Sequence, residues 1–482
     1  MISLMMNQAI FENDIRFLVM AFFPGEKIVL GYEDRFDYCI DIIMTTDKLS
    51  LSINDGGRNA KTLTLNGVVN RNTVKRLTYD LLSEYTKKQL PWGTLTGIRP
   101  TKLIMNLLDK GFEEEYIYQY FKSEYYISDA KYRLCAQVAE NERKVLQSLD
   151  LNNSYSLYIG IPFCPTICAY CSFSSYPLNV WEDRVDDYLD ALFKEIDAVS
   201  KLQSGKSLLT VYIGGGTPTS LSANQMHRLL EKLQQCFPLE SALEITVEAG
   251  RPDSITKDKL EVIKQHGIHR ISINPQTMNQ KTLDIIGRKH TPSQVERAFA
   301  LARETGFTNI NMDMIVGLPG ETSEDIKDTL TAIKKLNPES LTVHSLALKR
   351  AAILNQPESA YRETKPEEVG FMIDMTNQAA KTMQMNPYYL YRQKNIAGNL
   401  ENIGYAKAGH EGIYNILIME EKQTIIAVGA GGTTKVVIPQ KSFPGEKRIK
   451  RIENVKSVKD YIERIDEMIG RKEKELAKPC GL

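Results

Sequence analysis

Long hydrophobic runs are absent from this 482-residue sequence, and so is an excess of charge of either sign. The longest apolar run near the amino terminus, Phe17–Phe23, has seven residues, whereas a membrane-spanning helix needs about 20. Basic and acidic residues both number 60, which disfavours a nucleic-acid-coating protein and an acidic disordered tail. The 30 glycines and 19 prolines are too few for collagen-like or low-complexity classes. We therefore expect a globular protein without a membrane segment.

The amino-terminal region also lacks the features of a secretion signal. Glu12, Asp14 and Arg16 precede or flank the apolar run, and no small-residue cleavage site follows it. The seven cysteines are odd in number, and three of them fall within eight residues, unlike a secreted disulfide framework. These observations predict a cytoplasmic protein that binds neither membrane nor nucleic acid.

The sequence changes character near residues 150 and 350, which predicts three domains. Residues 1–150 combine short strand patterns, expected to pair antiparallel, with amphipathic helices, and are predicted to form an α+β domain. Residues 151–350 alternate six apolar, β-branched runs with amphipathic helices, a pattern that predicts parallel strand–helix units. Six units favour an α/β fold with a partial (β/α)6 barrel of TIM type. Residues 351–482 are predicted to form a smaller C-terminal region of strands, one of them at 413–419, and a final helix.

Two helix starts in the middle region can be predicted from their capping residues. Thr291 is followed by Pro292 and, three residues after the threonine, by Gln294; Thr322 is followed by Asp325. A threonine that caps a helix and a polar side chain three residues later bond reciprocally to free backbone N–H groups. We therefore expect helices to begin directly after both threonines.

The middle region opens with three closely spaced cysteines, Cys164, Cys168 and Cys171, in a C-x3-C-x2-C arrangement after its first predicted strand. Three thiolates close together suit a metal centre. Structural zinc normally takes four ligands, and no fourth cysteine or histidine follows at zinc spacing. Three cysteines on an iron–sulfur cubane would leave one iron open for a small chelating cofactor. A zinc or purely structural role is the alternative.

A glycine-rich turn, Gly214–Thr219, follows the next predicted strand. Glycines at such a position let the backbone approach a ligand closely. No lysine followed by serine or threonine comes after it, so a phosphate-binding P-loop is disfavoured.

The two motifs together resemble the radical S-adenosylmethionine (SAM) superfamily. In that superfamily three cysteines hold a [4Fe–4S] cluster, SAM chelates the fourth iron, and one electron from the cluster cleaves SAM to a 5′-deoxyadenosyl radical. An aromatic residue between the last two cysteines, here Tyr170, and a GGGTP element, here Gly214–Pro218, belong to its motifs. The resemblance implies that Cys164, Cys168 and Cys171 bind the cluster and that SAM is the second cofactor.

Further motifs follow the order found in the oxygen-independent coproporphyrinogen III oxidase family, which has HemN, HemW and HemZ types. They are Ile161–Cys164, Gly214–Pro218, Glu248, Gln276, Gly287-Arg288, Asp313 and Gly317–Gly320, while Leu95–Lys102 looks most like the HemZ type, called coproporphyrinogen dehydrogenase. The resemblance implies a radical SAM oxidoreductase that converts propionates of coproporphyrinogen III to vinyl groups, giving protoporphyrinogen IX in haem biosynthesis. It also implies a tetrapyrrole substrate and a one-electron donor protein such as flavodoxin or ferredoxin.

The resemblance assigns ligand-binding residues by position. Those implied to line the cluster-bound SAM are Tyr158, Tyr170, Gly215, Glu248 and Ala347. Those implied to line a second SAM position are Gly216, Thr217, Gln276, Arg288 and Asp313. An Arg288–Asp313 salt bridge that braces the barrel is the alternative for that pair. His290 and His344 are interpreted as packing or hydrogen-bonding residues, and no catalytic side chain is assigned.

Three departures from the family pattern keep other functions open. Gly160 stands where the relatives usually have histidine, and Ser172 stands after the triplet without the fourth cysteine of HemN types. The HNxxYW element of HemN and HemW types is represented only by Tyr414–Met419. A radical SAM methyltransferase, a haem-modifying enzyme and a haem-binding trafficking protein are therefore the alternatives.

Overall fold

The computed structural model describes residues 1–33, 35–56, 60–97, 99–347, 352, 354, 364–393, 400–438 and 449–476. The chain forms two compact units. The first contains Met1–Glu140, Lys365–Glu367 and Leu390–Glu401, and the second contains Asn141–Thr364, Glu368–Tyr389 and Asn402–Leu482. The predicted domain limits at residues 150 and 350 stay a prediction.

The first unit is built on a five-stranded sheet with the order β2-β1-β3-β4-β5. Its strands are β1 (Ile2–Met6), β2 (Ile28–Leu30), β3 (Tyr38–Met44), β4 (Lys48–Asn54) and β5 (Ala60–Asn66). The helices of this region are α1 (Glu12–Phe22), α2 (Arg71–Thr86), α3 (Thr101–Asp109), α4 (Glu114–Tyr125) and α5 (Asp129–Gln147). Alternating residues of β4, namely Leu49, Leu51 and Ile53, are buried in the core of this unit, as their period-2 pattern indicates.

The expectation of an entirely antiparallel sheet in this region is wrong. Strands β3, β4 and β5 do pair antiparallel, but β1 pairs parallel with both β2 and β3. The reason is α1, which lies between β1 and β2 and returns the chain in the same direction, as a parallel connection requires. The apolar run at Phe17–Phe23 falls almost wholly within α1, where Leu18, Val19 and Phe22 are buried.

The second unit contains most of an eleven-stranded sheet with the order β14-β15-β13-β12-β11-β10-β9-β6-β16-β17-β18. The first strands are β6 (Ser154–Ile161), β7 (Phe163–Cys164), β8 (Tyr176–Pro177), β9 (Ser207–Gly215), β10 (Glu244–Gly250), β11 (Arg270–Ile273), β12 (Asn309–Val316) and β13 (Ser340–Ser345). The later ones are β14 (Asn386–Arg392), β15 (Glu401–Ala406), β16 (Thr424–Val428), β17 (Thr433–Val437) and β18 (Ile449–Glu453). Strands β7 and β8 form a separate two-stranded pair.

Helices alternate with the strands of the second unit. They are α6 (Leu178–Trp181), α7 (Val185–Leu202), α8 (Ala223–Cys236), α9 (Lys257–Gln265), α10 (Gln280–Ile285), α11 (Pro292–Glu304), α12 (Ser323–Leu336), α13 (Pro366–Thr382), α14 (Ile413–Glu420), α15 (Val458–Glu463) and α16 (Ile465–Leu476). Helices α11 and α12 begin directly after Thr291 and Thr322, and both carry the predicted capping boxes. None of the helices in the described ranges is long and apolar enough to cross a membrane.

Strands β6 and β9 to β13 are neighbours and pair parallel throughout. This confirms the predicted α/β fold with a (β/α)6 barrel of partial, open form. On one side β16 adds a further parallel strand beside β6, and on the other side β15 pairs antiparallel with β13. The carboxyl ends of the parallel strands therefore meet at one end of the barrel, where the motif residues are located.

Two predictions for the carboxyl-terminal region are wrong. Residues 413–419 form helix α14 instead of a strand, and the predicted final helix is split at Arg464 into α15 and α16. Because α14 buries Tyr414, Leu417 and other residues, its apolar composition resembles that of a buried strand. The Glu244 carboxylate accepts a 2.6 Å hydrogen bond from the Ile413 N–H, which favours a helix start at this point.

Candidate active site

The cysteine loop, residues 164–171, follows β6 and is fixed to the barrel by backbone hydrogen bonds. Cys164 ends β7, while Cys168 and Cys171 lie in the loop. The Cys171 N–H donates to the Cys168 carbonyl at 3.0 Å, and the Ala169 N–H donates to the Ile286 carbonyl at 2.9 Å. Cys168 is buried, and the thiols of Cys164 and Cys171 are half-buried.

The glycine-rich turn at the end of β9 packs directly against this loop. The Gly216 N–H donates to the Ile161 carbonyl and the Thr217 N–H donates to the Phe163 carbonyl, both at 2.7 Å. A Cβ atom on Gly216 would lie 2.6 Å from the Phe163 oxygen and 3.0 Å from the Cys164 sulfur, so only glycine permits this approach. The Thr217 hydroxyl is 3.5 Å from the Cys164 sulfur. Thr217 therefore contacts a cysteine of the triplet, although the resemblance assigns it only to a SAM position.

Three tyrosines stack near Glu248 in the second unit. Tyr212 stacks on Tyr414 with ring centroids 4.6 Å apart, and Tyr158 lies beside both at 6.3 and 6.4 Å. The Tyr212 hydroxyl donates a hydrogen bond to Glu248. Burial, with the nearby charge of Asp313, raises the pKa of Glu248 to about 7. The carboxyl group of Glu248 can therefore exist in either protonation state near neutral pH.

Arg288 joins the cysteine loop to the end of β11. Its Nε and Nη2 atoms donate to the Tyr170 hydroxyl at 3.3 and 3.1 Å, and its Nη1 donates to the Asn274 carbonyl at 2.6 Å. The side-chain oxygens of Asn274 and Gln276 are buried and, among the described residues, lack a hydrogen-bond partner. Gln276 also has a left-handed backbone with φ of 66°. Unbonded buried acceptors are costly in a folded protein, so these oxygens suit a bound ligand with donor groups.

Asp313 does not pair with Arg288. The Asn311 side chain donates to Asp313 at 2.7 Å, and the His344 Nε2 lies 3.7 Å from its other oxygen. In the part of the chain that the structure describes, no ion pair joins Arg288 to Asp313, so the bracing salt bridge is not present. His290 is fully buried, and burial together with the charge of Arg288 lowers its pKa to about 4.

The remaining site residues from the sequence also have defined places. Gly215 ends β9 with φ of 110°, where a Cβ atom would lie 3.2 Å from the Tyr158 hydroxyl. Ala347 lies just after β13, at the same end of the barrel. Sequence reasoning missed Asn274 and Tyr212, because each is a single polar residue whose importance depends on contacts distant in sequence.

The cysteine loop fits an iron–sulfur cluster better than a single metal ion. No three His, Cys, Asp or Glu side chains within the described ranges are arranged as ligands of one ion. Thiolates of a cubane bind different iron atoms, so they need not converge on one point. Burial raises the pKa of Cys164 to about 11 and also raises that of Cys171, so without a positive centre these thiols stay protonated. Iron bound by this loop would supply the positive charge that converts them to thiolates.

Comparison with known proteins gives four findings. The family model described as the radical SAM superfamily matches residues 158–333. The oxygen-independent coproporphyrinogen-III oxidase-like protein HemZ of Bacillus subtilis is 42% identical over 410 residues, which cover 84% of this chain and 81% of that protein. The haem chaperone HemW of the same organism is 32% identical over 319 residues, covering 65% of this chain and 76% of HemW. Among solved structures, coproporphyrinogen III oxidase (HemN) from Escherichia coli has a TM-score of 0.52 at 23% identity, covering 69% of this chain and 73% of its own.

The barrel, the cysteine loop and the glycine-rich turn are thus those of a radical SAM protein. The chain belongs to the coproporphyrinogen III oxidase-like family of radical SAM proteins, which includes HemZ. Proteins of this family use a [4Fe–4S] cluster and SAM, so the prediction of these two cofactors is confirmed. The fold similarity to HemN supports the barrel and carries no residue roles.

Proposed function

We propose that this protein is an enzyme that oxidatively decarboxylates propionate side chains of coproporphyrinogen III to vinyl groups without oxygen. One observation carries the proposal. The similarity to HemZ covers 84% of the chain, more than the second unit contains, so it extends into the first unit as well. The similarity to HemW covers 65% and does not require the first unit. A match over most of both chains to a protein named as oxidase-like favours an oxidase over a chaperone.

The proposed cluster ligands are Cys164, Cys168 and Cys171, which leave one iron for SAM. The cluster, when bound, supplies the single electron that cleaves SAM to a 5′-deoxyadenosyl radical. Each propionate loses a hydrogen atom to the 5′-deoxyadenosyl radical, which becomes 5′-deoxyadenosine. It then loses carbon dioxide and gives one electron to a one-electron acceptor, and a vinyl group remains. The residues of the chain bind and orient the ligands and exclude water from the radical.

We assign SAM recognition to groups of complementary charge and hydrogen-bonding capacity. Glu248, with its pKa near 7, can accept a hydrogen bond from an ammonium group or donate one to a carboxylate. Arg288 carries a positive charge, and the unbonded oxygens of Asn274 and Gln276 can accept from an ammonium group or from ribose hydroxyls. Asp313 lies close enough to raise the pKa of Glu248 and is a second anionic partner for a cationic ligand.

An anaerobic reaction with coproporphyrinogen III, SAM and a chemical reductant tests the proposal. We expect 5′-deoxyadenosine, carbon dioxide and porphyrinogens with one or two vinyl groups. The Cys168→Ala variant should give none of these, and Cys39→Ala, which alters a cysteine of the first unit, should give all three. Absence of vinyl products from protein with a full cluster would contradict the proposal.

The second candidate is a haem-binding chaperone, because HemW is similar at 32% identity. It predicts stoichiometric haem binding and transfer to an apoprotein without turnover of coproporphyrinogen III. Measuring haem transfer on the same preparation distinguishes the two functions. A one-electron donor protein such as flavodoxin or ferredoxin belongs to the proposed oxidase, and replacement of the chemical reductant by each tests it.

A further inference from the structure

Arg251 lies beside the cysteine loop, although neither motif contains it. It follows directly after β10, and its side chain is only 2% exposed. The helical turn Pro252–Ser254 comes next in the chain and supplies its carboxylate partner, Asp253. Arginine is almost never fully buried unless its charge is paired, so the partners of Arg251 at this end of the barrel indicate its role.

The three nitrogen atoms of the guanidinium group are divided between two sets of partners. Nε donates to one Asp253 oxygen at 2.9 Å, and Nη2 donates to the other at 2.5 Å. This paired contact fixes the plane of the guanidinium group. Nη1 is left for the cysteine loop, where it donates to the Thr166 hydroxyl at 2.8 Å and to the Thr166 carbonyl at 3.2 Å.

The same Nη1 atom lies 3.9 Å from the Cys168 sulfur, at the outer range of an N–H···S contact. Cys168 is the buried cysteine of the triplet. An interaction between buried groups is only weakly screened by water and salt. Asp253 thus orients the arginine so that its Nη1 atom lies beside a predicted cluster ligand. Burial acts to raise the pKa of Asp253, but the hydrogen bonds and charge of Arg251 hold it below the usual range, so this carboxylate stays ionised.

We propose that Arg251 is a positioning residue that anchors the cysteine loop through Thr166 and raises the reduction potential of the cluster through its contact with Cys168. The inference rests on the proposed binding of the cluster by Cys168. A reduced cluster carries one more negative charge than the oxidised cluster. A hydrogen bond to a ligating sulfur and a nearby positive charge both favour the reduced form.

Redox titration of the full-length protein, followed by electron paramagnetic resonance with dithionite as the electron source, tests this proposal. In Arg251→Gln we expect the ratio of reduced to oxidised cluster at a fixed potential to fall at least tenfold, which corresponds to about 59 mV for one electron. Arg251→Lys keeps the positive charge but cannot make the paired contact with Asp253. Its ratio of reduced to oxidised cluster should lie between those of wild type and Arg251→Gln.

Arg270→Gln is the matched control, because Arg270 is a buried arginine at the start of β11, where its Nη1 donates to Asn309. Arg270→Gln should lower the stability of the protein and leave the ratio of reduced to oxidised cluster unchanged. A ratio within threefold of wild type in Arg251→Gln overturns the proposal. If Arg251→Gln fails to hold a cluster, Arg251→Lys decides instead, and a ratio of reduced to oxidised cluster equal to that of wild type overturns the proposal. The titration needs no tetrapyrrole, so its result is independent of the proposed reaction; a failure of cluster binding by Cys168 would instead appear as full iron content in Cys168→Ala.

Discussion

Arg288 donates two hydrogen bonds to the hydroxyl group of Tyr170, the residue between the last two cysteines. Its third contact, at 2.6 Å, is with the backbone of Asn274 beyond β11. Two motifs that are separated by more than a hundred residues thus meet through one guanidinium group. The cysteine loop and the proposed SAM-binding end of β11 are therefore mechanically linked.

Arg288→Ala is expected to lower kcat/KM at least tenfold, because it removes a positive charge from the proposed SAM site. Iron content should stay near that of wild type, since the cysteine ligands remain. Tyr170→Phe, which removes only the acceptor hydroxyl, should have a smaller effect on turnover and cost about 1–3 kcal/mol in stability. A sharp fall in the melting temperature of Arg288→Ala together with loss of iron would show a structural role instead.

Each of Cys164→Ala, Cys168→Ala and Cys171→Ala should abolish cluster assembly. Three cysteines leave one iron of the cubane open, and the loss of any one of them leaves a second iron without a protein ligand. Iron and sulfide content after anaerobic reconstitution measures this. Cys236→Ala is the control: its thiol lies on α8 and donates to Asp197 at 3.3 Å. Cys480 lies outside the described residues, and a requirement for it would disprove the three-ligand assignment.

The raised pKa of Glu248 predicts a specific pH dependence of stability. Its pKa is about 7 in the folded protein, against an ordinary value of 4.5, so the folded state holds this proton more tightly than the unfolded state. Its contribution to the free energy of unfolding is present below pH 4.5 and is lost as the pH rises to about 7, on the order of 3 kcal/mol. Glu248→Gln has no carboxyl group to ionise and should lack this loss. Its free energy of unfolding should therefore rise relative to that of wild type between pH 4.5 and about 7.

Urea unfolding of wild type and Glu248→Gln at several pH values measures this difference. Glu321 gives an independent second case, because burial raises its pKa to about 7 as well. Parallel stability curves for wild type and Glu248→Gln between pH 4.5 and 7 would refute the assignment.

Lys472 and Glu195 form a buried ion pair at 2.6 Å that connects α16 to α7. Glu195 also accepts hydrogen bonds from the Gly429 N–H at 2.8 Å and from the Tyr461 hydroxyl at 2.5 Å. Lys472→Met should cost about 3–5 kcal/mol, because it leaves a buried carboxylate without its cation. The Glu195→Gln/Lys472→Met double variant should recover part of that loss. Lys459→Met, which removes an exposed lysine, should change the unfolding free energy by about 1 kcal/mol or less.

Deletion of residues 1–150 is expected to destabilise the remaining chain, because Leu390–Glu401 belongs to the first unit. Glu401 accepts a 2.8 Å hydrogen bond from the Trp92 indole and pairs with Lys131, while Arg392 donates to the Leu95 carbonyl at 2.6 Å. The deletion leaves both side chains without these partners. Thermal unfolding of the 151–482 fragment measures the effect, and a melting temperature equal to that of the full chain would contradict it.

The parts of the fold that depend on local sequence could be predicted. The six barrel strands have β-branched apolar runs, and helices α11 and α12 begin at capping threonines that lie a few residues from their partners. The cysteine triplet could be recognised because its three cysteines share one short loop. These features need no knowledge of distant contacts.

Other features depend on residues that are far apart in the chain. The parallel pairing of β16 with β6 joins Thr424 to Tyr155, and no local pattern indicates it. Helix α14 has a strand-like composition because most of its surface is buried, so periodicity could not separate the two structures. The contact of Arg251 with Cys168 likewise follows from the way β10 and the cysteine loop meet.

The position of β16 sets an order of events during protein synthesis. Strand β6 leads directly into the cysteine loop, and one of its edges stays unpaired until residues 424–428 have left the ribosome. The Gly429 segment then packs on the Gly160 carbonyl, so closely that a Cβ atom would lie 2.5 Å from that oxygen. Contacts across such long sequence separations form slowly. Until β16 pairs with β6, the open edge of β6 favours aggregation. Iron–sulfur assembly on this chain is therefore expected to follow the completion of translation, and carboxyl-terminal truncations should accumulate as insoluble, iron-free protein.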